Sequence, residues 1–305
     1  MPEFGIRDVA REDKEEILAL TANTWEDGDY IHWVFDDWVS DTTGRFLAVE
    51  DKATGRIAGI DKMSFLSPAE AWFEGLRVHP DYRGLGLSTR FEKYMIEESR
   101  RLGASVIRLL TTVANLPVHR NTFRHGFSQR FIVRHWRLTS GEAKEKVTAA
   151  QPAYALRMAT PDEAPVFHDW WRRTHAGYAT GGLLNRQWSF SATSGEEWAE
   201  RAARGHLLVP EEVEVSGLGL PPPMALISTD SDGPGLDWTI STMYAPATGW
   251  RELGSALAGA ARDKGVKRLG GLLPAETHVD AGLGQAGFDA GADSEALALF
   301  ELTLT

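Results

Sequence analysis

The two halves of this chain carry the same order of predicted strands and helices, and this internal repeat is the feature that most limits how the chain can fold. A strand-like segment that includes Arg7 opens the first half, and a similar segment that includes Arg157 opens the second. Late in each half a helical segment runs into a Gly-Phe pair, at positions 126–127 and 287–288. A length of 305 residues allows about two domains of ordinary size. The repeat therefore predicts two related domains.

Each half predicts a mixed α/β fold with a largely antiparallel sheet. Residues 45–50 and 57–65 have the pattern of two consecutive antiparallel strands, and the strands that follow alternate with helical segments. The polar segment between the halves lacks strand alternation and is typical of a linker. We place the first domain at residues 1–140, the linker at 141–153 and the second domain at 154–305.

Composition excludes several kinds of site and partner. The chain has no Cys, which excludes disulfides, thiolate nucleophiles and sulfur-ligated zinc. Its formal net charge of −11 argues against binding to nucleic acid, because phosphate contacts need clustered Lys and Arg. No apolar run approaches the roughly 18 residues that span a bilayer, and the N-terminus lacks a signal-peptide pattern. We expect a cytoplasmic protein, a monomer or homodimer, without nucleic-acid or membrane partners.

A turn between a strand and a helix carries the strongest chemical signal. Residues 72–89 read W-F-E-G-L-R-V-H-P-D-Y-R-G-L-G-L-S-T, in which Pro80 ends a strand and Gly84 and Gly86 precede a helix. Glycines at such a turn let a ligand approach the backbone. The unpaired N–H groups and the dipole of the first helical turn attract anions. Together with the cation of Arg83, they predict a cradle for a phosphate or diphosphate.

The spacing of this turn resembles the diphosphate-binding motif of the GCN5-related N-acetyltransferase (GNAT) family. Arg83-x-x-Gly86-x-Ser88 matches the family's R/Q-x-x-G-x-G/A signature, with Ser88 in place of the usual Gly or Ala. Asn115 precedes a Gly-Phe pair at close to the family's usual interval. The resemblance covers residues 4–138. It implies an acetyltransferase fold and acetyl-CoA as the cosubstrate. We expect no metal, because His168 and His175 share a helix face without a third ligand at recognisable spacing.

The resemblance also implies which residues contact acetyl-CoA. Backbone N–H groups of the turn would bind the diphosphate, and the preceding strand would pair with the amides of the pantetheine arm as if that arm were an added strand. Asn115 lies at the family's usual pantetheine contact. The implied cofactor-binding residues are Leu76, Arg77, Val78, Arg83, Gly84, Leu85, Gly86, Leu87, Ser88, Thr89 and Asn115.

Transfer of an acetyl group from a thioester to an amine needs a group that takes the proton of the incoming ammonium. Glu74 is our candidate for this base, because regular strand alternation would place it on the same face as Leu76 and Val78. An ordinary surface carboxylate is the alternative interpretation. The absence of Cys agrees with direct attack of the amine, without a Cys-linked intermediate.

The group that protonates the departing thiolate is less well defined. Many members of the family carry a Tyr four residues before the Gly-Phe pair, and this chain has Thr122 there. A Thr hydroxyl is too weak an acid, although it could donate a hydrogen bond to the sulfur. His119 lies three residues earlier on the same helical face and titrates near neutral pH, so it is the substitute candidate. An inert, exposed His119 and an unassisted water molecule are the alternatives.

The acceptor site is predicted in residues 25–38, where acidic and aromatic residues alternate in a manner suited to a cationic amine. Glu26, Asp29 and Tyr30 are the candidate substrate-binding residues, and a charged surface helix is the alternative. With residues 74–78, E-G-L-R-V, the segment resembles the subfamily that includes histidine N-acetyltransferases. This implies a small primary amine, such as an amino acid, as the partner. A protein amine and a non-catalytic acyl-CoA sensor are the alternatives.

The second half lacks an equivalent glycine turn. Aligning the turn at Pro246 with the turn at Pro80 places Trp250 and Glu252 at the positions of the two glycines. An indole there would obstruct a diphosphate, and a carboxylate would repel it. We therefore predict that the second domain is a degenerate copy that does not bind coenzyme A.

Overall fold

The computed structural model describes residues 3–22, 24, 28–139, 153–213, 215, 220–230, 236–290 and 296–304. The chain divides into two compact units. Unit 1 comprises Met1–Thr111, Asn115–Gln129 and Leu299–Thr305, and unit 2 comprises Thr112–Ala114 and Arg130–Ala298.

Unit 1 is a mixed α/β structure built on one sheet. Its elements are β1 (Phe4–Asp8), α1 (Lys14–Thr21), α2 (Ile31–Ser40), β2 (Arg45–Asp51), β3 (Ile57–Ser67), β4 (Glu70–Val78), α3 (Leu87–Arg101), β5 (Val106–Thr112), α4 (Leu116–Arg124) and, near the end of the chain, β14 (Leu297–Thr303). Strands β1 to β4 are antiparallel neighbours. Strand β5 runs parallel to β4 and lies next to β14.

Unit 2 repeats this order with an extra hairpin and helix. Its elements are β6 (Ser128–Thr139), β7 (Leu156–Met158), α5 (Ala164–Arg173), α6 (His175–Ala179), β8 (Leu183–Asn185), β9 (Phe190–Ala192), α7 (Gly195–Ala203), β10 (Leu207–Pro210), β11 (Met224–Asp230), β12 (Asp237–Tyr244), α8 (Trp250–Asp263), β13 (Arg268–Pro274) and α9 (Thr277–Gln285). The sheet order is β7-β10-β11-β12-β13-β6. Strands β12 and β13 are parallel, and β13 and β6 are antiparallel. The mixed, largely antiparallel fold predicted for each half is confirmed.

The two halves of the sequence exchange their last strands. Strand β6, which ends the first half, pairs with β13 inside unit 2. Strand β14, which ends the second half, lies next to β5 inside unit 1. The observed units therefore differ from the predicted boundaries of 1–140 and 154–305, because a strand pattern does not say which strand it pairs with. Of the predicted linker at 141–153, all but residue 153 lies outside the described residues.

Each unit has its own apolar core. In unit 1, α1 and α2 bury Ile17, Phe35 and Trp38 against Phe46 and Ile60 of the sheet. Burial of such side chains contributes about 1.5–3 kcal/mol each, so this layer fixes α2 and the residues before it on one face of β3 and β4. None of the helices in the described part of the chain is long and apolar enough to cross a membrane.

Candidate active site

Strands β4 and β5 separate halfway along their length. Their parallel pairing joins Glu70–Phe73 to Val106–Leu109 and goes no further, although the two strands continue to residues 78 and 112. Beyond Phe73 the backbone of β4 therefore faces a gap on this side instead of a neighbouring strand. An extended chain of amides can pair with a strand edge of this kind. The three predicted pantetheine-binding residues of β4 lie along this gap.

The turn after β4 holds two glycines in a left-handed conformation. The Tyr82 hydroxyl anchors the start of the turn by donating a hydrogen bond to Asp51 Oδ2 at 3.1 Å. Gly84 and Gly86 follow with φ angles of +79° and +76°, a conformation that glycine adopts far more readily than other residues. A Cβ atom added at either position would meet no heavy atom within 4 Å. The backbone conformation requires these glycines, and the space beside them is open.

The open turn leads directly into α3. Gly86 is the N-cap of the helix, so the N–H groups of Leu87, Ser88 and Thr89 have no partner inside the helix. The helix dipole adds partial positive charge there, and the exposed guanidinium of Arg83 lies at the other end of the turn. The Leu87 side chain is buried, so only its backbone can contact a ligand. The residues that the structure gathers here, and that fit a diphosphate, are Arg83, Gly84, Leu85, Gly86, Leu87, Ser88 and Thr89.

A β-bulge in β4 sets the direction of the predicted base. Across the strand pair, Glu74 lies opposite Lys62 and Arg77 lies opposite Ile60. The chain advances three residues on β4 between these pairs but only two residues on β3. Glu74 and Arg77 therefore share one face of the sheet. The prediction that Glu74 shares a face with Leu76 and Val78 is wrong, because the bulge inserts one extra residue between them. The bulge contains Gly75, whose φ is +77°.

Glu74 sits in a polar setting on the α2 side of the sheet. Its Oε1 accepts a hydrogen bond of 2.8 Å from the Ser64 hydroxyl. Burial raises the pKa of Glu74, and the bond from Ser64 opposes that rise. Lys62, directly across the strand pair, forms a buried ion pair with Asp41. The charge of Lys62 also lowers the pKa of Glu74, while burial, the largest effect, raises it. A carboxylate whose pKa is raised by burial is a suitable candidate for a general base.

The candidate acceptor residues Asp29 and Tyr30 lie against Arg77, which shares a face of the sheet with Glu74. The Arg77 guanidinium donates to both oxygens of Asp29, at 2.7 and 3.3 Å, and its carbon lies 5.5 Å from the centre of the Tyr30 ring. Burial raises the pKa of Tyr30 to about 12, and the charges of Glu74 and Asp29 add to that rise. The Tyr30 ring thus lies against Arg77, on the face of the sheet that also carries Glu74.

Asp29 does not offer a charge to a substrate in this arrangement. It is buried, its two oxygens are bonded to Arg77, and one also accepts the backbone N–H of Ile31 at 3.1 Å. The expectation that Asp29 binds a cationic amine directly is therefore not supported, since its carboxylate already has charge-assisted bonds. It positions Arg77 and the start of α2. Glu26 lies outside the described residues.

Helix α4 places the remaining predicted residues. Asn115 precedes the helix, and its amide donates to the Thr111 hydroxyl of β5 at 3.0 Å, so it lies beside the gap between β4 and β5. Thr122 is buried, and its hydroxyl is within hydrogen-bond distance of the backbone oxygens of Val118 and His119, at 3.1 and 3.0 Å. The predicted hydrogen bond from Thr122 to a sulfur atom is not supported, because the hydroxyl proton is donated inside the helix.

His119 packs against the middle of β14. Its ring packs edge-on against Phe300 with 4.9 Å between ring centres, and it is half-buried. The exchange of strand β14 into unit 1 supplies Phe300, so the surroundings of His119 depend on a segment that the sequence pattern assigned to the other domain.

Two buried carboxyl groups of unit 1 were not identified from the sequence. Asp61 lies in β3 beside the bulge, and burial raises its pKa well above the usual range. Glu92 lies on α3, and burial raises its pKa to about 7. The signal for Glu92 is present in the sequence, since it falls on the helical stripe that holds Phe91, Met95 and Ile96. A carboxylate in such a stripe is unusual unless it is paired.

The equivalent position in unit 2 is closed. Strands β12 and β13 also separate after a short parallel pairing, but Trp250 is buried at the start of α8. It lines a cavity of only about 10 Å³ with Tyr244 and Pro274, far smaller than a cofactor needs. That the second copy does not bind coenzyme A stays a prediction.

The alignment behind that prediction needs one correction. Gly249, the N-cap of α8, corresponds to Gly86, the N-cap of α3. Trp250 therefore corresponds to Leu87, and neither Trp250 nor Glu252 takes a glycine position. The loop after β12 is shorter than the loop after β4, which a pattern based on one Pro could not show.

Comparison with known proteins agrees with this geometry. Residues 7–127 match the sequence model of the acetyltransferase (GNAT) family. The fold of the chain is similar to that of a GCN5-related N-acetyltransferase from Sphaerobacter thermophilus, at 15% identity and a TM-score of 0.62 over 98% of this chain and 95% of that one. It is also similar to a candidate acetyltransferase from Thermoplasma acidophilum, at 18% identity and a TM-score of 0.56 over 98% and 100%. These likenesses support a GNAT domain over residues 7–127 and a shared fold over the chain.

Proposed function

We propose that this protein is an acetyl-CoA-dependent N-acetyltransferase that acetylates a primary amine in unit 1. The observation that carries the proposal is the coincidence of two features: the gap between β4 and β5, and the open glycine turn that leads into α3. The first suits an extended chain of amides and the second suits a diphosphate. Acetyl-CoA contains both groups in this order. The GNAT match over residues 7–127 covers both features.

Glu74 is the proposed proton acceptor. Glu74 first takes one proton from the ammonium, directly or through water, which frees the nitrogen lone pair. The amine nitrogen then forms a bond to the acetyl carbon and the carbon–sulfur bond breaks. The nitrogen loses its second proton as the amide forms, and the departing thiolate gains one proton to become the free thiol. A base with a pKa raised toward the working pH is effective in this role. Thr122 is not the donor of the proton to the leaving thiolate, because its hydroxyl donates within its own helix. His119 and a water molecule are the two candidates for that donor.

We propose a small-molecule amine as the acceptor. Two features support a small-molecule acceptor: the aromatic ring of Tyr30, and the ion pairs that neutralise the other carboxylates near Glu74. Asp29 is paired with Arg77 and Asp41 with Lys62. Of these described carboxylates on the α2 side of the sheet, Glu74 is the one bonded only to a neutral hydroxyl. A single ammonium matches this arrangement. The resemblance to histidine N-acetyltransferases extends the proposal to free amino acids, and a protein N-terminus is the competing acceptor.

Release of free thiol from acetyl-CoA in the presence of candidate amines tests the proposal. The panel includes free histidine and other amino acids, their decarboxylated amines, polyamines and peptides with a free N-terminus. The chain has no Cys, so it adds no background to a thiol-reactive dye. Amine-dependent thiol release that is lost in Glu74→Gln supports the proposal.

A non-catalytic acyl-CoA sensor is the second candidate. It is favoured because the Thr122 hydroxyl bonds within its own helix and cannot assist the leaving thiolate. Tight binding of acetyl-CoA without thiol release across the whole panel would support the sensor and contradict the enzyme.

A further inference from the structure

A buried polar chain of four side chains joins α3 to α4. The Thr89 hydroxyl donates to Asn121 Oδ1 at 2.7 Å. The Asn121 amide nitrogen donates to Glu92 Oε2, and His125 Nδ1 lies 3.5 Å from that same oxygen. Thr89 and Glu92 belong to α3, Asn121 belongs to α4, and His125 follows α4 directly. The bonds tie the first turn of α3 to the middle and end of α4.

This chain lies where apolar packing would be expected. Glu92 and Asn121 are each only 7% exposed, and Glu92 occupies the buried stripe of α3 beside Phe91. Its second oxygen, Oε1, has no hydrogen-bond partner among the described residues. Burying a carboxyl with an unsatisfied oxygen costs free energy, and an apolar pair of similar size would stabilise the helix contact better. Stability alone therefore does not account for these residues.

The bonding pattern fixes the orientation of Asn121. The Asn121 amide nitrogen donates to Glu92 Oε2, and its amide oxygen accepts from the Thr89 hydroxyl, so these two partners fix which way the amide faces. The Thr89 hydroxyl then donates its single proton to Asn121. Consequently the Thr89 hydroxyl is not free to donate to a ligand, and its backbone N–H in the first turn of α3 is held in place.

The outer end of the chain lies at the anion cradle. Thr89 is the third residue of α3, and its N–H belongs to the group that the helix leaves unpaired beside Gly86. Binding of a diphosphate by backbone N–H groups is tighter when those groups are already ordered, because less conformational entropy is lost. A contact that holds this turn against α4 before the ligand arrives has that effect.

We propose that Asn121, oriented by Glu92, is a positioning residue that holds Thr89 and the first turn of α3 for the diphosphate of acetyl-CoA. This rests on the proposed function, since it assumes that acetyl-CoA binds at this turn. The Asn121 and Glu92 side chains do not touch the ligand themselves. They act through Thr89.

Calorimetric titration with coenzyme A and with acetyl-CoA tests the proposal on the full chain. We expect Asn121→Ala and Thr89→Val each to weaken binding about five- to tenfold, the usual result of losing one hydrogen bond. The double variant is expected to bind no more weakly than the weaker single variant, because both changes remove the same bond. In Asn121→Ala, whose side chain does not touch the ligand, we expect the rate at saturating acetyl-CoA to change less than twofold, so that the effect falls on KM.

Two further variants separate positioning from simple stability. Glu92→Gln keeps an oxygen that accepts from Asn121 and is expected to retain affinity, whereas Glu92→Leu removes the acceptor and is expected to weaken binding as Asn121→Ala does. Glu97→Gln, an exposed position on the same helix, is the matched control. Thr89→Val keeps the side-chain volume, so it remains informative where Asn121→Ala fails to fold.

The outcomes are distinguishable. Reduced thermal stability of Asn121→Ala and Thr89→Val with unchanged affinity would overturn the positioning role and leave a structural one. Additive losses in the double variant would also overturn it, because the two residues would then act separately. Wild-type chain that binds neither ligand would overturn the proposed function, and this proposal with it.

Discussion

The Ser64 hydroxyl lies 2.8 Å from Glu74 Oε1 and donates a hydrogen bond to it across the β3–β4 pair. This bond stabilises the ionised carboxylate, whereas burial of Glu74 favours the protonated form. The two effects act in opposite directions on the pKa of the proposed base. The strand pair therefore sets both the position and the proton affinity of Glu74.

Replacement of Ser64 tests this balance. In Ser64→Ala the bond is lost and the pKa of Glu74 rises further. A base must be ionised to work, so the rate increases with pH through that pKa. We expect the acid limb of the kcat/KM profile to move to higher pH in Ser64→Ala. An unmoved acid limb would show that a different group controls the rate.

Replacement of Glu74 itself separates chemistry from binding. Glu74→Gln keeps the shape and can still accept from Ser64, but it cannot take a proton. We expect turnover to fall at least about tenfold, the lower range for loss of a general base, with acetyl-CoA affinity unchanged by calorimetry. Glu97→Gln serves as the control. Turnover within twofold of the wild type would remove Glu74 from the mechanism.

Both the backbone conformation at position 75 and the nearby Trp38 side chain require a glycine there. Its φ is +77°, and an added Cβ would lie 2.6 Å from Cη2 of Trp38. Gly75→Ala is expected to lower the free energy of unfolding by about 1–2 kcal/mol for the backbone alone, and by more because of the clash. Urea denaturation measures the change.

The clash can be separated from the backbone cost. Phe in place of Trp38 lacks the atoms that the new Cβ would meet. We expect Trp38→Phe to cost less stability in the Gly75→Ala background than in the wild type. Additive costs would indicate that the indole moves aside without penalty.

Glu92 makes stability depend on pH. Burial raises its pKa to about 7, above the ordinary value of 4.5, so the folded chain holds a proton that the unfolded chain releases. The contribution of Glu92 to the free energy of unfolding therefore falls as the pH rises from about 4.5 to about 7, and it is constant outside that range. Groups of lowered pKa, such as Glu163, act at lower pH.

The measurement is the difference in unfolding free energy between the wild type and Glu92→Gln as a function of pH. We expect the wild type to lose stability relative to the variant from about pH 4.5 to 7. A constant difference would show that Glu92 has an ordinary pKa in the folded chain.

Much of the fold follows from local sequence. The strands predicted at residues 45–50 and 57–65 lie within β2 and β3, because periodicity and the Pro and Gly signals are local. The glycine turn was likewise predictable, since its function depends on backbone conformation and on the start of a helix. Its residues are the best-predicted part of the site.

The rest depends on contacts between distant segments. The exchange of β6 and β14 concerns which strands pair, and a strand pattern does not contain that information. The face of Glu74 is reversed by a single bulge, because side chains alternate with a period of two. Asp29 was assigned to a substrate since nothing in its local sequence identifies Arg77, 48 residues away, as its partner.

We expect one diphosphate site per chain, at the turn that contains Gly84 and Gly86. Calorimetric titration of acetyl-CoA into the wild type and Gly86→Ala measures this, with Gly103→Ala as the control. Gly103 also has a positive φ and open space around it, so its replacement carries a similar backbone cost, about 1–2 kcal/mol, away from the turn. A diphosphate site at this turn predicts one site per chain, with affinity reduced at least about tenfold in Gly86→Ala and unchanged in Gly103→Ala. Two sites per chain, or equal affinity in all three proteins, would contradict it.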